Sequence, residues 1–191
     1  MGTRPVIRIT EQEYLAADRA ADYKSEFVAG EMYAMSGGTA RHSHLGVRVV
    51  RQLDSRLEGS SCTTFNSDMR IRSPRGEHFY PDASVVCGPI ETQDGGKDIC
   101  TNPVLIAEVL SPSTANYDRG MKFVLYRQIP TLMEYLIFHC DSIHAEHYSR
   151  SHDGSWVLRE YRGDDARIPL PSVQCEIHLG SIYAGVMELP G

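Results

Sequence analysis

Apolar residues recur at Leu45, Val49, Leu53 and Leu57, an i+4 ladder with Val50 beside it, in a stretch otherwise rich in arginine and polar residues. The spacing predicts one long amphipathic helix with its apolar stripe on a core, stopped at Gly59. Upstream, Thr10 and Glu13 stand in the relation of a capping box, which predicts a short helix from about Glu11. "YKSEFVAGEMYAMSGG" has a different rhythm: Phe27-Val28, then Ala29-Gly30, then Met32, Tyr33 and Met35 predict a hairpin that turns at glycine. After the long helix come strand-like runs, "TTFNSDMRIR", "FYPDASVVC" and "NPVLIAEVL", the last two separated by the acidic loop "GPIETQDGGKD". "NYDRGMKFVLYRQI" predicts a helix that ends before Pro130. "MEYLIF", "SIHAEHYS" and "SWVLREY" predict three more strands, with "HDGS" turning between the last two and "LGSIYAGV" as a terminal helix or strand.

Helix, hairpin, helix, strands, helix and more strands make a mixed α/β fold with one central sheet flanked by helices. The strict alternation of a doubly wound nucleotide-binding fold is missing, and so are G-x-G-x-x-G and G-K-[ST]. No G-x-S-x-G elbow supports serine hydrolase chemistry. At 191 residues, the chain is expected to form a single domain over 1–191.

Composition narrows the function classes only a little. A net charge of −6 argues against a protein that coats nucleic acid by bulk electrostatics, while leaving room for a local basic groove. No apolar stretch approaches the roughly 20 residues of a membrane span. "MGTRPVIRIT" lacks the apolar segment of a secretory signal, so a cytoplasmic location is expected. The five cysteines show no C-x-x-C spacing and read as scattered, reduced thiols.

The chemistry gathers around two runs. "LIAEVL" is apolar on both faces, the mark of a central strand, yet it contains Glu108. A carboxylate there must be neutralised, hydrogen-bonded or bound to a metal. In "YPDASVV", Asp82 follows a proline suited to a strand start. Two such acids on adjacent strands suit Mg2+ or Mn2+, hard ions that prefer oxygen ligands. A cation to hold water and a phosphoryl oxygen is missing at Leu110, but Lys122 supplies one if the following helix folds back across the sheet. The plain alternatives are a turn residue at Asp82, an arginine partner for Glu108, and an i,i+4 pairing of Lys122 with Asp118.

The combination resembles the PD-(D/E)XK nuclease superfamily, and within it the Uma family of restriction-endonuclease-like proteins. The motifs that carry this resemblance are "DYKSEFVAGEMYAMSGG", "RHSHLGV", "SDMRIR", "YPDASVVCG", "NPVLIAEVLSPST" and "YDRGMKFVLYRQIPTLMEYL", and the stretch from Asn102 to Leu136 is the most specific. The resemblance implies a restriction-endonuclease-like α/β fold and metal-dependent hydrolysis of nucleic acid, DNA first. It also implies Asp82 and Glu108 as metal-binding acids, with Lys122 in place of the lysine absent at Leu110. A homodimer is expected from the need to cut both strands of a duplex. The rival readings are a catalytically silent binding module on the same fold and a metal-dependent hydrolase of a small phosphate.

Further residues are candidates at the margin. Glu31 could reach the metal or be a solvated turn residue. His44, near His42 at the start of the long helix, could approach a metal or phosphate, or simply cap the helix. Arg70 and Arg72 share a strand face and could touch a nucleic-acid backbone or lie solvated. His139, His144, His147 and His152 cluster in sequence, but without an H-E-x-x-H helix they read as no metal site, with His144 and Glu146 on one strand face.

Overall fold

The computed structural model describes residues 8–35, 37–93, 97–111 and 115–191. Helix α1 spans Glu11–Ala20 and is closed by the expected capping box, in which the Thr10 side chain accepts from the Glu13 amide and Glu13 accepts from the Thr10 amide. The hairpin β1 (Ser25–Val28) and β2 (Glu31–Ala34) turns through Ala29 and Gly30, both at positive φ. Helix α2 runs from Ala40 to Leu57 and buries Leu45, Val49, Leu53 and Leu57, as the ladder requires.

Strands β3 (Cys62–Asn66), β4 (Arg70–Arg72), β5 (His78–Phe79), β6 (Ala83–Cys87), β7 (Ile99–Cys100) and β8 (Leu105–Leu110) follow. A helical crossover leads on to β9 (Glu134–His139), β10 (His144–Arg150) and β11 (Trp156–Arg162). A small hairpin, β12 (Arg167–Leu170) with β13 (Cys175–His178), and helix α5 (Leu179–Tyr183) end the fold. The central sheet has six strands in the order β11-β10-β9-β8-β6-β3; β8 and β9 are parallel and the other pairs antiparallel. A second sheet, ordered β2-β1-β5-β4-β7, lies against one of its faces.

Two apolar clusters fill the space on either side of the central sheet. One joins α2, α5 and the β12–β13 hairpin to Val85, Ala107, Val109, Leu136 and Phe138. The other joins Val28, Ile71 and Phe79 of the second sheet to Ile106, Leu110, Tyr135 and Ile137, with Leu125, Tyr126 and Ile129 of the crossover between. Burying these side chains supplies roughly 25 cal/mol per Å² of apolar surface removed from water.

The strand readings need refinement at two places. "TTFNSDMRIR" is not one strand: Asn66 accepts from the Asp68 amide and turns the chain, sending β3 and β4 into different sheets. "FYPDASVVC" also divides, because Pro81 brings no donor and Asp82 spends its carboxylate on the next strand; β5 and β6 again belong to different sheets. The predicted helix after "SPST" is likewise irregular. It consists of α3 (Ala115–Tyr117), a π-helical turn over Asp118–Lys122, and α4 (Phe123–Tyr126). Pro112, Ser113 and Thr114 of that motif lie outside the described residues.

The cysteine expectation is overturned. Cys62 and Cys87 face each other across β3 and β6 and form a disulfide, leaving Cys100, Cys140 and Cys175 free. The pairing follows from strand register, which spacing in sequence does not reveal.

Candidate active site

The fold positions the acids through register. Ala83 pairs with Ala107 and Ser84 with Ile106, so one further antiparallel step sets Asp82 across from Glu108. Asp82 Oδ2 accepts a 2.8 Å bond from the Val109 amide, which holds the carboxylate at the strand mouth. Glu108 projects to the same side as Ile106 and Leu110, into the layer that contains the crossover. There its Oε1 accepts from Lys122 Nζ at 3.0 Å and from the Tyr126 hydroxyl at 2.8 Å.

Lys122 is brought there by the π-helical turn. A π turn is wider than an α turn and often marks a functional site. Here it directs both Asp118 and Lys122 inward, and both are buried. The ammonium stands 2.8 Å from Glu26 Oε1, 3.0 Å from Glu108 Oε1 and 3.4 Å from Asp118 Oδ1. The proposed strand-to-helix reach and the plain i,i+4 pairing are therefore both present in one cluster.

Three carboxylates thus share one ammonium, and Asp82 stands beside them, next to His42. The Glu26, Glu108 and Asp118 side chains are almost sealed, whereas Asp82 keeps 21% of its side-chain surface exposed. Burial pushes Glu108 up to about 8 against the pull of Lys122, with Asp118, Asp82 and Glu26 adding to the rise. Burial also raises Asp82, opposed by His42, the Val109 amide and Lys122. Lys122 is held well above its ordinary value: burial works against it, but Glu108, Glu26 and Asp118 outweigh that penalty. Such an excess of buried negative charge is costly without a further cation. Hard oxygen donors of this kind fit Mg2+ or Mn2+. Neither the lysine nor the tyrosine bond uses Glu108 Oε2.

His42, in the first turn of α2, places Nε2 2.9 Å from the Val109 carbonyl and 3.9 Å from Asp82 Oδ2. The histidine beside the acid is therefore His42. On the helix, the position two residues on faces away from the strand mouth. Glu31 does not join the cluster, since its carboxylate accepts from Tyr33 on the hairpin.

Arg70 and Arg72 are not phosphate contacts. Arg70 is buried and bound to Asp18, to the Tyr80 hydroxyl at 2.9 Å and to Asp98 at 3.2 Å. Arg72 binds Glu11 at 2.7 and 3.0 Å. Their donors tie α1 to the second sheet.

Glu26 was missed by sequence reasoning. Its signal was nevertheless there, one acid in "SEFV", a strand whose four residues are all buried. It is the same anomaly that singled out Glu108.

Compared with known proteins, residues 11–180 match the model of the family Uma2, described as "Putative restriction endonuclease". The chain belongs to the Uma2 family. "Uncharacterized protein slr1290" of Synechocystis sp. is 35% identical over 183 residues, covering 95% of either chain. "Uncharacterized protein sll1609" of the same organism is 38% identical over 161 residues, 84% of this chain and 91% of that one. A crystal structure from Anabaena variabilis, described as a "putative nuclease belonging to DUF820", superposes with a TM-score of 0.77 at 17% identity, covering 93% of this chain and 99% of its own. At that identity the likeness shows the fold, which is the mixed α/β architecture expected. Membership in Uma2 makes the chain nuclease-like. No helix among the described residues is long and apolar enough to cross a membrane.

Proposed function

We propose that this Uma2 protein is a divalent-metal-dependent endonuclease that hydrolyses phosphodiester bonds in nucleic acid, DNA in particular. The observation that carries the reading is Glu108, an acid buried in a central strand, opposite Asp82 and in contact with Lys122. Asp82 and Glu108 would hold Mg2+ or Mn2+, with Asp82 on the exposed side. A bound ion would supply a more acidic water and charge stabilisation at the phosphoryl group.

The chain's own residues divide the remaining work. Lys122 stays protonated, so it acts as a fixed positive charge that stabilises the developing phosphorane charge or orients water, not as a base. Tyr126 holds Glu108 in place by donating to Oε1, and the Val109 amide does the same for Asp82. Glu26 and Asp118 fix the ammonium from two further sides. Cutting both strands of a duplex calls for two such sites, which a homodimer provides. The proposed setting is the cytoplasm.

The test is cleavage of supercoiled, linear, branched and single-stranded nucleic acids in Mg2+ and Mn2+, with folded Asp82→Ala and Glu108→Gln beside wild type. Metal-dependent cuts lost in both variants support the nuclease. Cuts that persist in both place the chemistry elsewhere. Competition by nucleotides would point to a small-phosphate hydrolase, and a folded chain that binds no metal and cuts nothing would point to the silent binding module.

A further inference from the structure

A second group of metal-ligating side chains lies on β9 and β10, the next two strands of the sheet beyond Glu108, and shares no residue with the carboxylate cluster. His139 ends β9, and His144 and Glu146 begin β10, so the hairpin between these strands folds the three together. The two imidazole rings lie 3.8 Å apart between centroids. One donor atom from each of His139, His144 and Glu146 falls within 4.8 Å of the other two. The hydroxyl of Tyr183 lies 2.7 Å from the His139 carbonyl and 2.8 Å from that of His144, pinning the backbone of both histidines.

Hydrogen bonding inside this group does not close. Glu146 Oε1 takes Arg119 Nε at 2.7 Å and Arg119 Nη2 at 2.6 Å, and His139 Nε2 stands 2.9 Å from it as well. The same His139 nitrogen is 2.9 Å from Arg119 Nη2. One ring nitrogen cannot donate to the carboxylate and accept from the guanidinium together. His144 is 4% exposed, and its Nε2 is buried without a hydrogen-bond partner, although Glu160 Oε1 stands 3.3 Å away. Arg119 supplies the positive charge beside Glu146 and His139, and His144 Nε2 is left without a partner.

We propose that His139, His144 and Glu146 form a binding site for a divalent transition metal of the zinc class, with Arg119 as the cation it displaces. Two imidazoles and a carboxylate are a donor set suited to such ions and unlike the all-oxygen set at Asp82 and Glu108. A metal accepts all three lone pairs at once and leaves an open position for water or Glu160. Arg119 is free to leave because its side chain is 35% exposed. The site rests on none of the residues assigned to hydrolysis.

The test is titration of the untagged full chain with Co2+, read by visible absorption, and with Zn2+ in competition, in excess Mg2+ to fill the carboxylate site. One equivalent of Co2+ should bind, and His144→Ala should weaken it by about a hundredfold. Arg119→Gln, a change that leaves the ligands intact, should tighten binding about tenfold because the competing cation is gone. No bound Co2+, binding indifferent to His144→Ala, or binding unchanged or weakened by Arg119→Gln would each overturn the site.

Discussion

Lys122 Nζ stands 3.0 Å from Glu108 Oε1 across a separation of fourteen residues, and the π-helical turn is what closes that distance. The lysine therefore reaches the sheet from the crossover and not from the strand, whose position two after Glu108 is Leu110. Two consequences separate a working charge from a merely structural one. Lys122→Gln should lower metal-dependent cleavage by about a hundredfold or more, as loss of a transition-state charge does. It should not weaken Mn2+ binding, since it removes a cation that competes for Glu108. Single-turnover cleavage and Mn2+ titration on the same folded variant read the two effects apart.

The buried acid should also tie stability to pH. Glu108 holds its proton to about pH 8 in the folded chain and releases it near 4.5 when unfolded. Between those values the unfolded chain binds fewer protons, so the contribution is fully present below about 4.5 and lost as pH rises toward 8. Metal-free wild type should lose on the order of a few kcal/mol relative to Glu108→Gln over that window. Urea unfolding at pH 5, 6.5 and 8 measures it. Parallel curves for the two proteins would mean that Glu108 is ionised throughout.

Much of this site was legible before the fold was known. Acids stand out when they interrupt apolar strands, and Asp82 and Glu108 did so. Lys122 could be assigned only conditionally, because its reach depends on a crossover whose path a helical pattern does not give. Glu26 sits in a four-residue strand of the second sheet, and no local pattern says that this sheet will pack over the crossover. Short elements were lost for a related reason. β7 has two residues, and β12 carries Pro169, so neither has an alternation long enough to read. Arg70 and Arg72 were placed on the right strand, but their partners Asp18 and Glu11 come from a helix fifty or more residues earlier.

Those partners make Arg70 a stability residue. It is buried against Asp18, Tyr80 and Asp98, and removing its charge strands the Asp18 carboxylate. Arg70→Met should cost about 3–5 kcal/mol, as breaking a buried pair does. Urea unfolding measures the loss. Nucleic-acid affinity of the surviving folded fraction should stay unchanged; a selective loss of affinity with intact stability would restore Arg70 to the binding surface.

The Cys62–Cys87 link gives a thiol count. Denatured without reductant after purification in air, the chain should titrate three thiols, and five after reduction. Closing a separation of 25 residues should be worth about 3.5 kcal/mol on the chain-entropy account, read as the stability difference between wild type and the Cys62→Ser, Cys87→Ser double variant. Five thiols without reductant would mean that the pair stays open.

The metal centre itself is tested most directly by Mn2+ titration calorimetry near pH 7, in buffers of different ionisation enthalpy, on a His144→Ala background that removes the second site. One Mn2+ should bind with release of a proton, because Glu108 must give up the proton it holds below about 8. Asp82→Asn and Glu108→Gln should each weaken that binding severely, and Glu108→Gln should remove the proton release from the weak binding that remains. Mn2+ that binds equally well in wild type and both variants, or that binds none of the folded proteins, would contradict a metal centre at Asp82 and Glu108.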